Sequence, residues 1–428
     1  MASPLRIGIA GLGTVGIGVV KIIQEKSPLL AQRTGRSIEI VAVCARDLGK
    51  DRGYALDGYE WETDPVALAK RPDIDVFVEL IGGDEGPALD ATKAAIATGK
   101  DVVTANKAML AHHGQDLALA AEDKGLVIRF EAAVAGGIPV IKSLTEGLAG
   151  NEIERLYGVM NGTCNYILTQ MEATGRGYEA LFEECAELGY LEADPNLDVG
   201  GIDAAHKLSL LSAIAFGTKV DFDSVDIEGI QNLELDDIER ASDLGYRIKL
   251  LGVAHCNADG LEQRMTPCLV PLGSPLGQLE GGTNMVVLEG DEVGQIVLRG
   301  AGAGSGPTAS AVMSDLIDIA RGTRISTFGQ PANTLASGTR RSTGSETPYY
   351  LRMRLKDTPG ALAKIATVLG DNNISIDRMR QYAHSGDNAP VLIVTHTCSS
   401  TAIQKALDAI SKTDVMVGNT VALRIENI

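Results

Sequence analysis

Short apolar segments alternate with helix-like segments over roughly the first third of the chain. The apolar segments are hydrophobic on both faces: Leu5–Ala10, Ile38–Cys44, Ile74–Leu80, Asp101–Thr104 and Val127–Phe130. Between them lie stretches with helical spacing, such as Pro87–Thr98. Strands that are buried on both faces and separated by helices are typical of a parallel sheet with right-handed crossovers. The pattern therefore predicts an α/β domain over residues 1–138.

Two further units follow this domain. Residues 139–305 mix strand-like and helix-like patterns and hold the densest clusters of polar residues, which predicts an α+β domain. Residues 306–330 contain one more helical pattern, which we expect to complete the first domain. Residues 331–347 are rich in Ser, Thr, Gly and Arg and are typical of a linker. Residues 348–428 restart the alternation, with a strand expected at Ile374–Ile376, and predict a separate small α+β domain.

Composition and charge exclude several classes. The 428 residues are 45% hydrophobic and 22% charged, which is ordinary for a globular protein of two or three domains. A formal net charge of −18 repels phosphate backbones, so no nucleic-acid partner is expected. The longest apolar run, residues 208–216, is far shorter than the roughly 20 residues of a membrane helix, so no membrane partner is expected. Scattered cysteines without C-x-x-C pairs indicate reduced thiols and a cytoplasmic location.

A glycine-rich motif follows the first strand and opens a helix. Gly11 permits a tight turn, Gly13 lets the backbone approach a pyrophosphate, and Gly16 lets the helix pack close to the strand. The backbone N–H groups at the helix start, around Thr14 and Val15, can bind the phosphate oxygens. A purely structural turn is the alternative. The strand before the motif and the helix after it favour a Rossmann-like domain that binds a dinucleotide.

The end of the second strand bears on the choice of dinucleotide. An acidic residue at this place favours NAD, whereas an arginine accommodates the 2′-phosphate of NADP. Arg46 suggests NADP, but Asp47 beside it keeps NAD open. A solvated loop charge is an equally good interpretation of Arg46.

The strongest chemical signal is the segment from Gly189 to Lys207. It threads four carboxylates through Gly and Pro: Glu192, Asp194, Asp198 and Asp203. If Asp203 begins a helix, Lys207 lies one turn later on the same face. A lysine held by carboxylates can be positioned for proton transfer. A calcium-like loop or an acidic surface turn is the alternative, but the oxygen spacing does not match an EF-hand and Lys207 would oppose a divalent cation.

Together these motifs resemble the homoserine dehydrogenase family, in its monofunctional type with a C-terminal ACT domain. The resemblance covers essentially the whole chain, and it rests on the Gly189–Lys207 segment together with Gly11–Gly16, Thr104–Lys107, Glu131–Pro139, Asn161–Tyr166 and Gly300–Gly304. It implies an enzyme that interconverts L-homoserine and L-aspartate 4-semialdehyde with NAD or NADP, on the route to threonine and methionine. Residues 139–305 would then form the catalytic and dimerisation domain.

The resemblance also implies roles for individual side chains. Lys207 matches the catalytic lysine, and Asp203 matches the carboxylate beside it. Glu192 and Asp198 match the acids that hold the ammonium and hydroxyl end of the substrate. Lys107 matches a lysine near the nicotinamide and the substrate. Because either lysine could exchange a proton with the substrate oxygen, Lys107 remains a rival to Lys207 as acid and base.

Two further binding sites follow from the resemblance. In the Gly300–Gly304 motif, Gly302 and Gly304 match cofactor-binding positions. The loop Glu131–Pro139 matches a sodium site, whose ligands would be the Glu131 carboxylate and the backbone carbonyls of Val134, Gly136 and Ile138. Hard cations prefer oxygen ligands, so this set is chemically sensible. On the residues alone, an interdomain hinge is at least as good an interpretation of this loop.

The C-terminal unit resembles a ferredoxin-like ACT domain. Its turn Asp357–Gly360 leaves backbone N–H groups free at a helix start, where an amino-acid carboxylate can bind, with Asn372 and Asn373 as facing polar residues. Family analogy suggests L-threonine as the effector. ACT domains usually pair, so a homodimer or homotetramer is expected. A dimerisation module without a ligand is the alternative.

Two other functions compete with this interpretation. Cys164 could be the nucleophile of an acylating dehydrogenase, such as aspartate-semialdehyde dehydrogenase. That chemistry needs a well-placed histidine base, and His206 would point away from the site on a helix next to Lys207. A non-catalytic sensor of nucleotides and amino acids is the second alternative. Sensing alone does not require a lysine among carboxylates, so the Gly189–Lys207 segment favours an enzyme.

Overall fold

The computed structural model describes residues 3–191, 194–338, 344–382 and 386–428. The first region folds into a parallel sheet with the strand order β3-β2-β1-β4-β5-β6. Its elements are β1 (Leu5–Ala10), α1 (Thr14–Thr34), β2 (Ile38–Cys44), β3 (Glu60–Glu62), α2 (Pro65–Lys70), β4 (Val76–Glu79), α3 (Pro87–Ala97), β5 (Asp101–Thr104), α4 (Lys107–Glu122) and β6 (Ile128–Arg129). This is the Rossmann order, in which a crevice opens between β1 and β4 at the carboxyl ends of the strands.

The middle region is built on an antiparallel sheet with the order β12-β11-β7-β9-β10, which packs against helices. Its elements are α5 (Val140–Lys142), β7 (Ile153–Val159), α6 (Gly162–Thr174), α7 (Tyr178–Glu187), α8 (Pro195–Val199), α9 (Ile202–Phe216), β8 (Asp226–Ile227), α10 (Leu235–Asp243), β9 (Tyr246–Asn257), β10 (Gly260–Pro271), β11 (Thr283–Gly290) and β12 (Gly294–Ala301). Helix α9 is buried along most of its length between α4 and the sheet.

Helix α11 (Ser305–Arg321) leaves the middle region and returns to the parallel sheet. Its apolar residues share one core with β1 and α1. The hydroxyl of Ser305 donates to the carbonyl of Thr14, 2.8 Å away, and fixes the start of α11 beside the start of α1. Arg129 Nη2 lies 2.7 Å from Asp318 Oδ2, which ties α11 to β6.

The last region has the alternation of a ferredoxin-like fold, with the strand order β16-β13-β15-β14. Its elements are β13 (Tyr349–Lys356), α12 (Ala361–Asp371), β14 (Ile376–Gln381), β15 (Asn388–Thr395), α13 (Ser400–Ile410) and β16 (Met416–Ile425). The predicted fold class is therefore confirmed for all three parts. The strand predicted at Ile374–Ile376 begins only at Ile376, because the left-handed Asn373 (φ 56°) and the buried Ile374 form the turn out of α12.

One sheet runs from the middle region into the last region. Strands β10 and β16 pair in parallel at Cys268 and Leu269 of β10. A buried ion pair lies at this junction, where Arg264 Nη2 of β10 is 2.6 Å from Glu426 Oε1 just beyond β16. Among the residues described, no helix is long and apolar enough to cross a bilayer.

Candidate active site

A cavity of about 690 Å³ lies where the parallel sheet meets the middle region. The parallel-sheet side contributes Val15 at the start of α1 and Ala105 just after β5. The middle region contributes Asp198, Asp203 and Lys207 of the Gly189–Lys207 segment. The cavity therefore opens at the carboxyl edge of the Rossmann sheet, where this fold binds its ligands. The predicted site residues that line it are Val15, Lys107, Val134, Asp198, Asp203, Lys207, Gly302 and Gly304.

Asp203 binds two lysines within this cavity. Its Oδ2 lies 2.7 Å from Nζ of Lys207, and its Oδ1 lies 2.9 Å from Nζ of Lys107. Lys207 also donates to the carbonyl of Met160, 2.9 Å away. Burial alone would raise the pKa of Asp203, but the two ammonium groups outweigh burial and hold this pKa well below its usual range. Asp203 is thus a fixed anion that orients two cations.

Local structure explains how these side chains meet. Gly201 takes a left-handed conformation (φ 81°) and caps the start of α9, so Asp203 lies in the first turn and Lys207 one turn later. Asn106 caps α4 by accepting from the backbone N–H of Met109, 3.1 Å away, and Lys107 is therefore the first residue of that helix. The starts of α4 and α9 thus bring together two lysines that are far apart in the sequence.

Asn161 connects the carboxylates and was not predicted as a site residue. Its Nδ2 donates to Asp198 Oδ1 at 3.0 Å and to Asp203 Oδ2 at 3.4 Å. Its Oδ1 accepts from the backbone N–H of Cys164 and caps α6. A helix-cap signature, Asn followed by Gly-Thr-Cys, was available in the sequence, but it gave no hint that the amide would also bind two acids.

The predicted substrate ligand Glu192 lies outside the described residues. Its neighbours Tyr190 and Leu191 line the cavity, and the hydroxyl of Thr163 donates to the carbonyl of Tyr190, 3.2 Å away. Tyr190 and Leu191 therefore border the cavity.

The glycine-rich turn has the space that a dinucleotide needs. Gly11 takes φ 102°, and a Cβ at this position would come within 2.3 Å of the Leu80 carbonyl oxygen. A Cβ at Gly16 would come within 2.0 Å of the Gly11 carbonyl oxygen. Apart from Gly13 itself and its two chain neighbours, no described residue has an atom within 4 Å of the place of a Gly13 Cβ, so the turn is open at Gly13. The start of α1 is thus accessible to a phosphate at Thr14 and Val15.

Arg46 is exposed just after β2, and a second arginine, Arg52, lies near the same strand end. Arg52 Nε donates to the carbonyl of Leu12 in the glycine-rich turn at 3.2 Å, and its Nη2 donates to the carbonyl of Asp47 at 2.5 Å. Arg52 was not predicted, because no periodic pattern links this loop residue to the turn.

The predicted cation loop surrounds a buried carboxylate. Glu131 accepts backbone N–H groups of Ile141 (3.0 Å) and Lys142 (2.8 Å), one on each carboxylate oxygen. The carbonyl of Ile138 accepts from Val140 at 2.8 Å. Burial and the neighbouring Asp315 raise the pKa of Glu131 to about 7. Gly136 is buried in the same loop, as is Val134. The surroundings of Glu131 therefore stabilise its charged form less than water does.

The structure argues against a nucleophilic Cys164. The thiol is fully buried and donates to the carbonyl of Asp198, 3.3 Å away. Burial, together with the charge of Asp198, raises the pKa of this thiol well above its ordinary value. A buried thiol of this kind does not supply the thiolate that acylation needs.

The histidines pack against one another and against an aromatic ring. His206 lies against Phe222, with ring centres 4.3 Å apart, and its ring centre is 5.5 Å from that of His112. Across the described ranges, no group of three or more His, Cys, Asp or Glu side chains is arranged to hold a metal ion.

Comparison with known proteins decides the family. Family models described as "Homoserine dehydrogenase, NAD binding domain", "Homoserine dehydrogenase" and "ACT domain" match residues 11–131, 139–317 and 349–414. A curated homoserine dehydrogenase of Neisseria gonorrhoeae is 41% identical over 434 residues, covering 99% of both chains. The chain belongs to the homoserine dehydrogenase family.

Solved structures support the same assignment. A homoserine dehydrogenase from Thiobacillus denitrificans superimposes with a TM-score of 0.94 at 42% identity, over 99% of this chain and 98% of that one. A hyperthermophilic archaeal homoserine dehydrogenase in complex with NADPH superimposes with a TM-score of 0.62 at 28% identity, over 74% of this chain and 97% of that one. This member of the homoserine dehydrogenase family is an NAD(P)-dependent oxidoreductase that interconverts L-homoserine and L-aspartate 4-semialdehyde, and its ACT domain is confirmed.

Proposed function

We propose that Lys207 transfers the proton in the homoserine dehydrogenase reaction and that Asp203 orients it. The observation that carries the proposal is the contact of Asp203 with Lys207 and Lys107 at the wall of the cavity. A nicotinamide cofactor, when bound, would supply the hydride chemistry at the carbinol carbon of homoserine and the carbonyl carbon of the aldehyde. In the reducing direction, the Lys207 ammonium donates a proton to the oxygen on which negative charge develops. In the oxidising direction, the neutral amine accepts the hydroxyl proton.

Of the two lysines, Lys207 is the more buried. Its side chain is 11% exposed and has two acceptors, Asp203 and the carbonyl of Met160, whereas that of Lys107 is 27% exposed. Proton transfer requires a group held at a fixed position, which favours Lys207. We assign Lys107 to an oxygen of the substrate or the cofactor on the more open side of the cavity.

The acids of the site suit a substrate that carries an ammonium group. Asp198 is buried at the cavity wall and is held by the Asn161 amide. We assign the substrate ammonium and hydroxyl end to Asp198 and Glu192, as the family pattern suggests. A zwitterionic substrate then meets anions at one end and cations at the other, which fixes its orientation.

The open turn at Gly13 and the accessible start of α1 fit a dinucleotide pyrophosphate, and Gly302 and Gly304 border the same cavity. Arg46 and Arg52 bring two positive charges to the end of β2, where a 2′-phosphate would lie. We therefore assign NADP as the preferred cofactor, with NAD as the alternative. The archaeal relative whose structure contains NADPH supports this choice.

A sodium ion fits the charge balance around Glu131. Three buried carboxylates, Glu131, Asp315 and Asp318, lie near two cations, Arg129 and Lys142, which leaves an excess of negative charge when all three are ionised. A monovalent cation bound by Glu131 and the carbonyls of the loop (Val134, Gly136 and Ile138) would neutralise it, since hard cations prefer oxygen ligands.

The ACT domain suggests control by an amino acid, and we assign L-threonine by family analogy. Gly360 (φ 87°) begins α12, and Asn372 follows its last residue and donates to the carbonyl of Val368 at 2.9 Å. The turn and the asparagine thus lie at opposite ends of α12, roughly 16 Å apart. A ligand that contacts both must lie between two copies, which supports a homodimer or homotetramer. The free cysteines support a cytoplasmic enzyme.

The deciding experiment is the rate of homoserine oxidation by Lys207→Ala. We expect kcat to fall by about a factor of 10³, because the variant lacks both the acid and the base. Binding of the reduced cofactor, followed by fluorescence, should stay within twofold. Lys219→Ala, which removes an exposed lysine after the same helix, is the control. Turnover by Lys207→Ala at the level of the control would refute the proposal.

A further inference from the structure

A buried lysine lies behind the active site, and within the described ranges its ammonium hydrogen-bonds to none of the residues already discussed as acid or base. Lys249 on β9 is 2% exposed. Its Nζ donates to Asn165 Oδ1 at 2.8 Å and to the carbonyl of Leu279 at 2.5 Å. Both acceptors are uncharged. The carboxylates of Glu172 and Glu280 bind the neighbouring Arg247.

The two acceptors of Lys249 lie on two segments that pack against each other. Asn165 is on α6, and Leu279 precedes a loop that reaches the cavity. Asn165 Nδ2 donates to the carbonyl of Gly281, 2.7 Å away. The Lys249 ammonium and the Asn165 amide therefore fasten residues 279–281 to α6.

This contact continues directly into the active site. Gly162 and Gly282 both line the cavity, and a Cβ at Gly162 would come within 2.6 Å of the Gly282 carbonyl oxygen. Asn161, which caps α6, donates to Asp198 and Asp203. A shift of residues 279–282 away from α6 would thus open the cavity wall beside the Asn161 amide.

A buried ammonium without a carboxylate hydrogen-bond partner is costly. Desolvation, together with the neighbouring Arg247, lowers the pKa of Lys249 to about 8. An apolar side chain of similar length would avoid this cost, so stability alone does not explain a lysine here. Three ammonium hydrogens can, however, bind two separate oxygens at once, which an apolar side chain cannot do.

We propose that Lys249 is a positioning residue for the homoserine side of the active site. It holds residues 279–282 against α6, so that Asn161 keeps Asp198 and Asp203 in place for the substrate. The inference rests on the proposed substrate side at Asp198 and Asp203. It predicts a defect in substrate binding and little effect on the dinucleotide, because both acceptors of Lys249, Asn165 and Leu279, belong to the middle region, whereas the glycine-rich turn belongs to the parallel-sheet region.

The test is the steady-state behaviour of Lys249→Met and Lys249→Arg. We expect the methionine variant to raise KM for homoserine at least tenfold, with kcat reduced less than KM is raised. The affinity for reduced cofactor should change less than twofold. The arginine variant, which keeps a cationic donor, should recover most of the loss. Lys100→Met is the matched control. It removes a buried lysine that donates to Thr98 and directly precedes β5, at the end of the strand away from the cavity.

Several outcomes would overturn the inference. One is a KM for homoserine in Lys249→Met within twofold of the wild type. Another is a parallel weakening of cofactor binding, or an arginine variant as impaired as the methionine variant. If Lys249→Met does not fold, Asn165→Ser tests the same contact, and an unchanged KM there would also overturn it. Turnover by Lys207→Ala would refute the proposed proton transfer. The KM values of the Lys249 variants would still test the positioning role by themselves.

Discussion

Asp203 and Lys207 lie one turn apart on α9 and form a hydrogen bond of 2.7 Å inside a buried cavity wall. The second oxygen of the same carboxylate binds Lys107 from the other domain. A single carboxylate therefore holds Lys107 and Lys207, which come from different domains, close to each other. It also supplies the negative charge that keeps two ammonium groups close together.

We expect Asp203→Asn to lower kcat by at least about 100-fold, because the amide cannot compensate two cations and leaves Lys207 poorly oriented. Stopped-flow measurement of the hydride-transfer step would show the loss. Asp194→Asn, an exposed acid that caps α8, should keep near wild-type rates. Equal rates for the two variants would contradict the role of Asp203.

Cys164→Ser should keep homoserine dehydrogenase activity within about threefold of the wild type, since a serine hydroxyl can also donate to the Asp198 carbonyl. Steady-state assays and iodoacetamide labelling of the folded wild-type enzyme provide the measurement. We expect Cys164 to resist alkylation, because the thiol is buried. Complete inactivation by the serine substitution would instead support Cys164 as the nucleophile of a thioester mechanism.

Arg46→Glu should raise KM for NADP at least about tenfold and change KM for NAD little, because only NADP carries the 2′-phosphate. The ratio of kcat/KM for the two cofactors is the quantity to measure. Lys70→Glu changes the same charge at the end of α2 and serves as the control. An unchanged cofactor ratio would mean that Arg46 is only a solvated loop charge.

Glu131→Gln should abolish any stimulation of the rate by sodium, since the buried negative charge that attracts the ion is removed. Initial rates in sodium chloride are compared with rates in choline chloride at equal ionic strength, with about a fivefold drop expected for the wild type. Glu146→Gln removes a half-exposed acid next to Arg129 and should leave the response intact. A sodium response in Glu131→Gln would place the ion elsewhere.

His206 predicts how stability depends on pH. Burial and the neighbouring His112 lower its pKa to about 4, against about 6.5 in an unfolded chain. Between these values the unfolded chain binds more protons, so the free energy of unfolding falls as the pH drops from 6.5 towards 4. His206→Asn should reduce the loss of thermal stability between pH 7.5 and pH 5, whereas His396→Asn, at an exposed site, should not. Identical pH dependence in both variants would contradict this origin.

Local patterns predicted the elements that depend on local sequence. The bounds of β1, β2 and β5 agree with the predicted strands, because doubly buried strands leave a continuous apolar run. The first-turn position of Asp203 and the spacing to Lys207 also followed from helical periodicity.

The contacts that complete the site lie between distant parts of the chain. Lys107 meets Asp203 only because α4 and α9 start at the same cavity, and Arg52 reaches Leu12 from an irregular loop. Lys249 reads as an ordinary strand residue in the sequence, since its burial depends on the loop that covers it. These contacts and the burial of Lys249 depend on tertiary packing, so the periodicity of the sequence does not predict them.

The pairing of β10 with β16 means that the regulatory domain shares backbone hydrogen bonds with the catalytic sheet. A graft or deletion at the preceding linker would cut through this sheet and would leave Arg264 without Glu426. An exchange of ACT domains between relatives therefore requires that β10 and β16 be exchanged together.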